Sequence, residues 1–551
     1  MIARKSFLIV ISTFFIDFLG IAGAFILAKL WGEVSVAALG AIGFALSSIS
    51  IFNVFSSLGL GHAHVKKVSE GKDLGTCLGT YIVIELFVTG LMLAFIFIGI
   101  YILGSVFNQS FTDATTESVF LIIIIWAIFN SLKAIPIDTF TATRETAKRQ
   151  IALTFENLTK LPLLVIVALA GATGLLASGR IFNVKAPIEW PGFLQGLQKY
   201  IATHALGSLA LTYALGMMAV FVVGMFLLRK YPIKKPNLAM FKSYFLFAIP
   251  LAFSSVASII AHNVDKVMIG FFWTSTEVGY YFVVERITGF IAVFSLAVSY
   301  ILFPTISSYH SKKSFTKIKK TVHLAERYIS MVLFPPVIFI ILFSRPIVEI
   351  TLDSAYLPGA SVLVILSIWV FIRSISLPYS NLLIGINLPK IQALLGVAMC
   401  VVNIILNYLF IPKNGLLSNI TIGSNTISIN GPDGAAVSTV LAGLIVYFGT
   451  RWEAKKHTDI KIFQIYYIKH LLAGFVMGGV LYYLNYYFII QFRWFHLISF
   501  AGIGLLIYLA VLYLLKEFQK QDFLFFWDII NPKKMASYVK SEMKEKSHIK
   551  K

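Results

Sequence analysis

Charge is what this chain has least of. Only 13% of its 551 residues are charged, 58% are hydrophobic, and the mean hydropathy is +0.84. So little polar surface cannot cover a soluble domain, which excludes an ordinary water-soluble globular protein. Cysteine is almost missing. Cys77 and Cys400 fall within or beside apolar runs and give no disulfide framework, metal-ligand spacing or redox motif. They read as small core hydrophobes. Acidic residues are scarce, 25 against 46 Lys and Arg. No loop gathers them into a paired-carboxylate cluster, and no Gly-rich turn is shaped to cradle phosphate. A membrane glycosyltransferase or polymerase would need such machinery, so the chain reads as a non-enzyme that works without a bound cofactor.

What is present is a succession of apolar runs, each near the roughly 20 residues a helix needs to cross hydrocarbon. About fourteen such spans can be drawn, which makes the expected fold an all-α integral membrane protein. The first run, Ser6 to Leu30, is span-length and lacks a small-residue cleavage pattern, so it reads as the first helix rather than a removable signal. With the N-terminus placed in the cytoplasm, roughly 33 of the 46 Lys and Arg fall in cytoplasmic segments and about 7 in external ones. This bias predicts a multi-pass protein of the cell membrane with both termini cytoplasmic. The basic segments Arg229–Lys242, Lys312–Arg327 and Arg451–Lys461, with the tail from Lys516, read as topology determinants in contact with anionic lipid headgroups. That accounts for the net charge of +21 without nucleic acid. In the loop Pro412 to Pro432, Gly423-Ser424-Asn425-Thr426 between short Ile/Thr runs predicts a small β-hairpin.

A weak repeat runs at a separation near 240 residues. Leu30-Trp31 followed by Gly40 reappears as Phe272-Trp273 followed by Gly279. Six spans separate the copies, so the two blocks keep one orientation and form parallel repeats, with a site expected between them. The expected division is an N-lobe of helices 1–6 (1–230), a C-lobe of helices 7–12 (231–456), helices 13 and 14 (457–521), and a basic tail (522–551).

Several motifs resemble the polysaccharide flippases of the multidrug/oligosaccharidyl-lipid/polysaccharide exporter superfamily, relatives of the lipid II flippase and of the multidrug extruders. Leu58-Gly59-Leu60-Gly61-His62-Ala63-His64-Val65-Lys66-Lys67 is similar to their helix-2 exit motif. Asp265-Lys266-Val267-Met268-Ile269-Gly270 with Val278-Gly279-Tyr280-Tyr281 resembles the motif opening the second lobe. Ile411-Pro412-Lys413-Asn414-Gly415, resumed at Gly434-Ala435-Ala436, looks like the helix 11 to 12 turn, and Asn403 and Asn407 precede it at a spacing the family often shows. The resemblance implies two six-helix bundles around a central cavity that opens alternately to either side. Tyr280 through Phe303-Pro304 is also similar to the lipid II flippase, in which the residue matching Arg286 is a cavity arginine. The first helix departs from that flippase, carrying Asp17 and Gly23 where it has arginines, so a different lipid-linked oligosaccharide is the expected substrate.

Charges inside spans are costly and normally face a cavity, which makes them the candidates for function. Arg286 and Arg373 are the expected phosphate ligands, because a guanidinium offers bidentate hydrogen bonds to phosphate oxygens. The structural alternative for Arg286 is an ion pair with Glu285 or Asp265; for Arg373 it is an unidentified carboxylate. Lys266 and Lys133 complete the cationic set. Asp265, Asp17 and Glu285 are the cavity carboxylates. Asp265 serves either as a proton or sodium site that couples transport to a gradient or as a brace for Arg286; Asp17 is a cavity residue or an inter-helix hydrogen-bond partner. Glu85 reads as a buried hydrogen-bond partner, and Glu156 with Lys160 as an i,i+4 pair. His62 and His64 read as interfacial. The expected partners are the lipid-linked oligosaccharide, membrane lipids and other glycan-assembly proteins. The rival within the same fold is a cation-coupled drug extruder, which would favour a carboxylate-rich cavity.

Overall fold

A computed structural model of the chain describes residues 2–54, 59–105, 114–175, 180–181, 184–185, 190–422, 425–462, 464–488, 492–519 and 522. The first half comprises α1 (Ile2–Trp31), α2 (Glu33–Phe52), α3 (Leu60–Ser69), α4 (Leu74–Ser105), α5 (Ala114–Leu132), α6 (Ala134–Ala142), α7 (Thr146–Leu175), α8 (Gln195–Thr203) and α9 (Ala205–Leu228). A short hairpin of β1 (Arg180–Ile181) and β2 (Val184–Lys185) lies between α7 and α8. The second half comprises α10 (Leu238–Phe272), α11 (Ser275–Ile291), α12 (Val293–Ser311), α13 (Phe315–Thr351), α14 (Ala360–Gly385), α15 (Pro389–Phe410) and α16 (Gly431–Thr458). Two more helices, α17 (Tyr466–Phe488) and α18 (Trp494–Leu514), follow and pack against α13. The predicted hairpin is present: β3 (Asn419–Ile422) pairs antiparallel with β4 (Asn425–Ser428), with Ile422 opposite Asn425. The tail from 523 onward lies outside the described residues.

Among the described residues, twelve helices or helix pairs are long and apolar enough to cross a membrane by length and composition. The α10 helix and the α11–α12 pair, also expected as spans, are the more polar ones. Between them they carry His262, Asp265, Lys266, Glu285 and Arg286, and the second is broken at Ala292. Both still run from one end of the molecule to the other. Asn237, before α10, donates its backbone N–H to Thr80 at the end that holds the basic loops, whereas Trp273, after α10, donates its indole N–H to the Ile411 carbonyl (2.7 Å) at the opposite end.

Local chemistry sets several of these boundaries. The Asn237 side chain accepts from the Ala239 and Met240 N–H groups and so caps α10. Thr274 and Glu277 form a reciprocal capping box at α11. Pro335 and Pro336 are carried within α13. The non-helical residue is instead Phe343, where Pro346 removes the N–H for the Leu342 carbonyl and crowds it.

The two halves meet tightly at the end opposite the basic loops. A Cβ on Gly40 of α2 would be driven into the Ser275 carbonyl of α11, and one on Gly279 into the Val36 carbonyl. Only glycine allows backbones this close. The two tryptophans of the sequence pattern are also placed alike. Trp31 donates to the Ala168 carbonyl of α7 (2.9 Å), as Trp273 does to Ile411 just after α15.

Candidate functional site

Five helices of the second half, α10, α11, α14, α15 and α16, enclose a cavity of about 510 Å³. Its charged and polar wall includes Arg373, Glu285, Asp265, His262, Tyr281 and Thr439. Arg373 sits mid-way along α14, so its exposed side chain is open to the cavity and not to the outside of the bundle. Glu285 is the carboxylate within electrostatic reach of it. That carboxylate is already engaged by Lys266, whose Nζ lies 2.7 Å from Glu285 Oε2 and 2.9 Å from the His262 carbonyl. Among the described residues, no hydrogen bond or salt bridge is made by the Arg373 guanidinium.

Asp265 is buried and fully coordinated by donors. Its Oδ2 accepts from Tyr281 Oη and Thr439 Oγ1, both at 2.6 Å, and its Oδ1 accepts from Asn407 Nδ2 at 2.7 Å. Asn403 completes the set, donating to Thr439 (3.2 Å) and accepting from Asn407 (3.3 Å). The Asn407 side-chain oxygen has no partner among the described residues. The adjacent residues Asp265 and Lys266 point to different partners, as the 100° helical step requires.

The structure therefore divides the seven sequence candidates into three groups. Arg373, Glu285, Lys266 and Asp265 come together at the cavity. Arg286 lies elsewhere on α11: its guanidinium stacks over the Phe282 ring (4.3 Å) and is within electrostatic reach of Asp17 on α1, across the junction of the halves. It pairs with neither Glu285 nor Asp265, because Lys266 holds the first and three neutral donors hold the second. Lys133 lies in the first half, with Glu156, Asp138 and Arg149 as its charged neighbours. Glu85 is buried as expected, and Lys160 pairs with Glu156 at 3.8 Å.

Other expectations need correcting. His64 is not interfacial but completely buried, hydrogen-bonded to Tyr244 Oη (2.9 Å) and Thr139 Oγ1 (3.1 Å). Arg451, read as part of a headgroup-contacting basic segment, is 1% exposed and pairs at 2.6 Å with Glu326, which is 0% exposed. The Glu326 carboxylate also accepts from the hydroxyls of Tyr379 (2.8 Å), Tyr466 (2.6 Å) and Tyr467 (2.5 Å), so the pair ties α13, α14 and α16 to α17. Arg327, in another of those segments, is held by Glu517 (2.6 Å) and Asp522 (2.9 Å), joining α13 to the stretch after α18. A sequence signal existed for Asp138, a lone acid in an apolar run. Glu326 and Arg451 were hidden by the Lys-rich stretches around them.

Comparisons with known proteins agree with this architecture. Residues 196–361 match a family described as polysaccharide biosynthesis protein. A curated relative, the probable low-salt glycan biosynthesis flippase Agl15 of Haloferax volcanii, is 26% identical over 264 residues, 47% of this chain. The chain spans about half the length of that relative, 51%. Among solved structures, the lipid II flippase MurJ in an inward closed conformation superposes with a TM-score of 0.68 at 17% identity, covering 91% of this chain and 97% of that one. An inward-facing multidrug resistance MATE family transporter of the MOP superfamily gives 0.59 at 13% identity, covering 80% and 93%. The resemblance seen in the motifs is borne out, and the fold is that of MurJ and the MATE transporters.

Proposed function

We propose that this chain flips a lipid-linked oligosaccharide between membrane leaflets, by exposing its cavity alternately to the two sides, with the basic end in the cytoplasm of a cell-membrane protein. The observation that carries this reading is Arg373. A guanidinium placed mid-span is costly, and this one, without a hydrogen-bond or salt-bridge partner among the described residues, presents its donors to an incoming anion. A phosphate or diphosphate bridging lipid and glycan supplies that anion, and bidentate hydrogen bonds hold it. Arg286, at the junction of the halves, is the second cation on the route, and Lys133 the corresponding charge of the first half. The glycan-flippase relative and the polysaccharide family match support the substrate class. The translocated glycan then passes to other assembly proteins.

Asp265 is the coupling residue in this scheme. Its carboxylate, the unpartnered Asn407 oxygen, the Asn403 oxygen and the Thr439 hydroxyl offer only oxygen ligands, which suit a proton or a hard cation such as sodium. A direct test is the thermal midpoint of the purified protein with and without a lipid diphosphate oligosaccharide. Binding to the native state raises the midpoint, by about 2.7 kcal/mol of stabilisation at a hundredfold excess over Kd. The rise is expected to vanish in Arg373→Ala; an unchanged rise in that variant removes the phosphate-site assignment.

One observation favours the second reading, a cation-coupled extruder. Asp265 and Glu285 face the same cavity as Arg373, so its walls are not uniformly positive. Ion-driven efflux of small organic cations, with no response to lipid-linked glycans, would select that reading.

A further inference from the structure

The transport scheme uses Arg373 but gives no role to the tryptophan beside it. Helix α14 begins after Tyr356, whose hydroxyl lies 2.9 Å from Ser35 Oγ, so its first turns are at the end opposite the basic loops. Trp369 comes four residues before Arg373, one helical turn nearer that end and on the same face. Both side chains line the cavity. One turn rises about 5.4 Å, a step that a sugar joined directly to a phosphate can bridge.

The indole is seated by its edge. A Cβ on Gly443 of α16 would lie 1.9 Å from Trp369 Cζ3, and 2.6 and 2.9 Å from the ring atoms on either side of it. The outer edge of the six-membered ring therefore abuts the α16 backbone, and that helix leaves the ring faces uncovered. Among the described residues no other aromatic ring packs on Trp369, and its indole N–H makes no hydrogen bond. Acceptors stand at the same depth. Counted from the end opposite the basic loops, Trp369 is the tenth residue of α14, Glu285 the eleventh of α11 and His262 the eleventh from the end of α10. Glu285 and His262 line the cavity with it. Lys266 occupies Glu285 Oε2 (2.7 Å), while Oε1 makes no hydrogen bond among the described residues. His262 Nδ1 lies 3.1 Å from the Ser258 carbonyl, which can only accept, so the neutral ring presents Nε2 as an acceptor.

We propose that the cavity recognises the sugar attached to the phosphate: a hexopyranose stacks on Trp369 and donates hydroxyls to Glu285 and His262, while Arg373 holds the phosphate. A pyranose matches such a wall, because its C–H face is apolar and its rim carries hydroxyl donors. The positive edges of those C–H groups meet the negative face of the indole. A cavity of about 510 Å³ is of the size that encloses a drug-sized ligand. It takes the first sugar with its phosphate, not a whole oligosaccharide, so selection acts on the sugar nearest the lipid. This inference rests on the reading of Arg373 as a phosphate ligand.

Calorimetric titration of the purified protein separates the two. The probes are farnesyl diphosphate, and farnesyl diphosphate carrying glucose, galactose or N-acetylglucosamine. The quantity read is the ratio of affinities, sugar-bearing over bare, within each protein, in which a smaller folded fraction cancels. In the parent protein at least one sugar is expected to tighten binding by about 3- to 10-fold. In Trp369→Leu the ratio is expected to fall to about one, and Trp369→Phe, with a smaller ring on the same seat, should keep part of it. Binding of the bare diphosphate with a ratio of one for all three sugars overturns this proposal and leaves the phosphate site standing. A Trp369→Leu ratio as large as the parent's overturns it too. A parent protein that binds none of the probes removes the phosphate site and this inference together.

Discussion

A guanidinium in the middle of a span persists only where something offsets its desolvation, and among the described residues no hydrogen-bond or salt-bridge partner of Arg373 does so. Hydrogen bonds to charged groups contribute about 1.5–3 kcal/mol each, so Arg373→Ala is expected to slow flipping by roughly 10- to 100-fold while membrane insertion is unchanged. Arg373→Lys should fall between, since an ammonium keeps the charge but loses the two-pronged geometry. Initial rates at matched protein density decide this; equal rates in all three proteins would remove Arg373 from the mechanism. Asp73 gives a prediction of a different kind. It caps the start of α4 by accepting from the Thr76 N–H (2.8 Å) and pairs with Lys234 of the linker between the halves (2.8 Å). The Lys234 ammonium, with the Thr76 hydrogen bonds, lowers its pKa from 3.8 to about 2. A carboxylate with a depressed folded-state pKa stabilises above its unfolded value and loses that contribution as pH falls through the folded one. Asp73→Asn should therefore lower the thermal midpoint slightly at neutral pH, and the difference should close as pH falls from 3.8 towards 2. Both side chains are about half exposed, so added salt should shrink it too. A difference that stays constant with pH would contradict the assignment.

At the scale of elements, the contact between α2 and α11 depends on two glycines. Gly40→Ala drives a methyl group into the Ser275 carbonyl, and overpacking of this kind costs about 1–3 kcal/mol. Gly90→Ala, with open space around it, is expected to be neutral or slightly stabilising, since alanine favours a helix by about 1 kcal/mol. Thermal unfolding in one detergent compares the two variants, and equal midpoints would show that the contact tolerates separation. The Glu326–Arg451 pair makes the same point electrostatically. Glu326→Gln leaves a buried guanidinium without its counter-ion, a loss of about 3–5 kcal/mol for buried pairs. Unfolding that begins with release of α17 from α13 is the expected form of the damage. Elements differed in how legible they were. The β3–β4 hairpin could be read because alternating Ile and Thr flank a turn-forming Gly-Ser, a local signal. The break at Ala292 leaves no such mark, since neither Pro nor Gly occupies it. The pairing of Glu326 with Arg451 joins residues 125 apart in sequence. Each sits where Lys-rich loops begin, and composition there says surface.

For the whole molecule, composition and hydropathy were enough to expect an all-helical membrane protein, and the order of its motifs was enough to expect the exporter fold. They could not say where the candidate charges would gather. Arg286 and Arg373 were expected around one central cavity, yet Arg373 joins Asp265, Lys266 and Glu285 within the second half, while Arg286 faces Asp17 across the halves. Spacing along a helix fixes which residues share a face, but not which neighbouring helix that face meets. Two locations suggest a route with two stations for one anion, passed on as the halves move. The most direct measurement is headgroup translocation in liposomes that hold the purified protein and a fluorescent lipid-linked oligosaccharide, with an external quencher reading the outer-leaflet pool. Fast protein-dependent access to the inner pool is expected in the wild type, with strong slowing in Arg373→Ala and again in Arg286→Ala. No acceleration over protein-free liposomes with any lipid-linked glycan would contradict it.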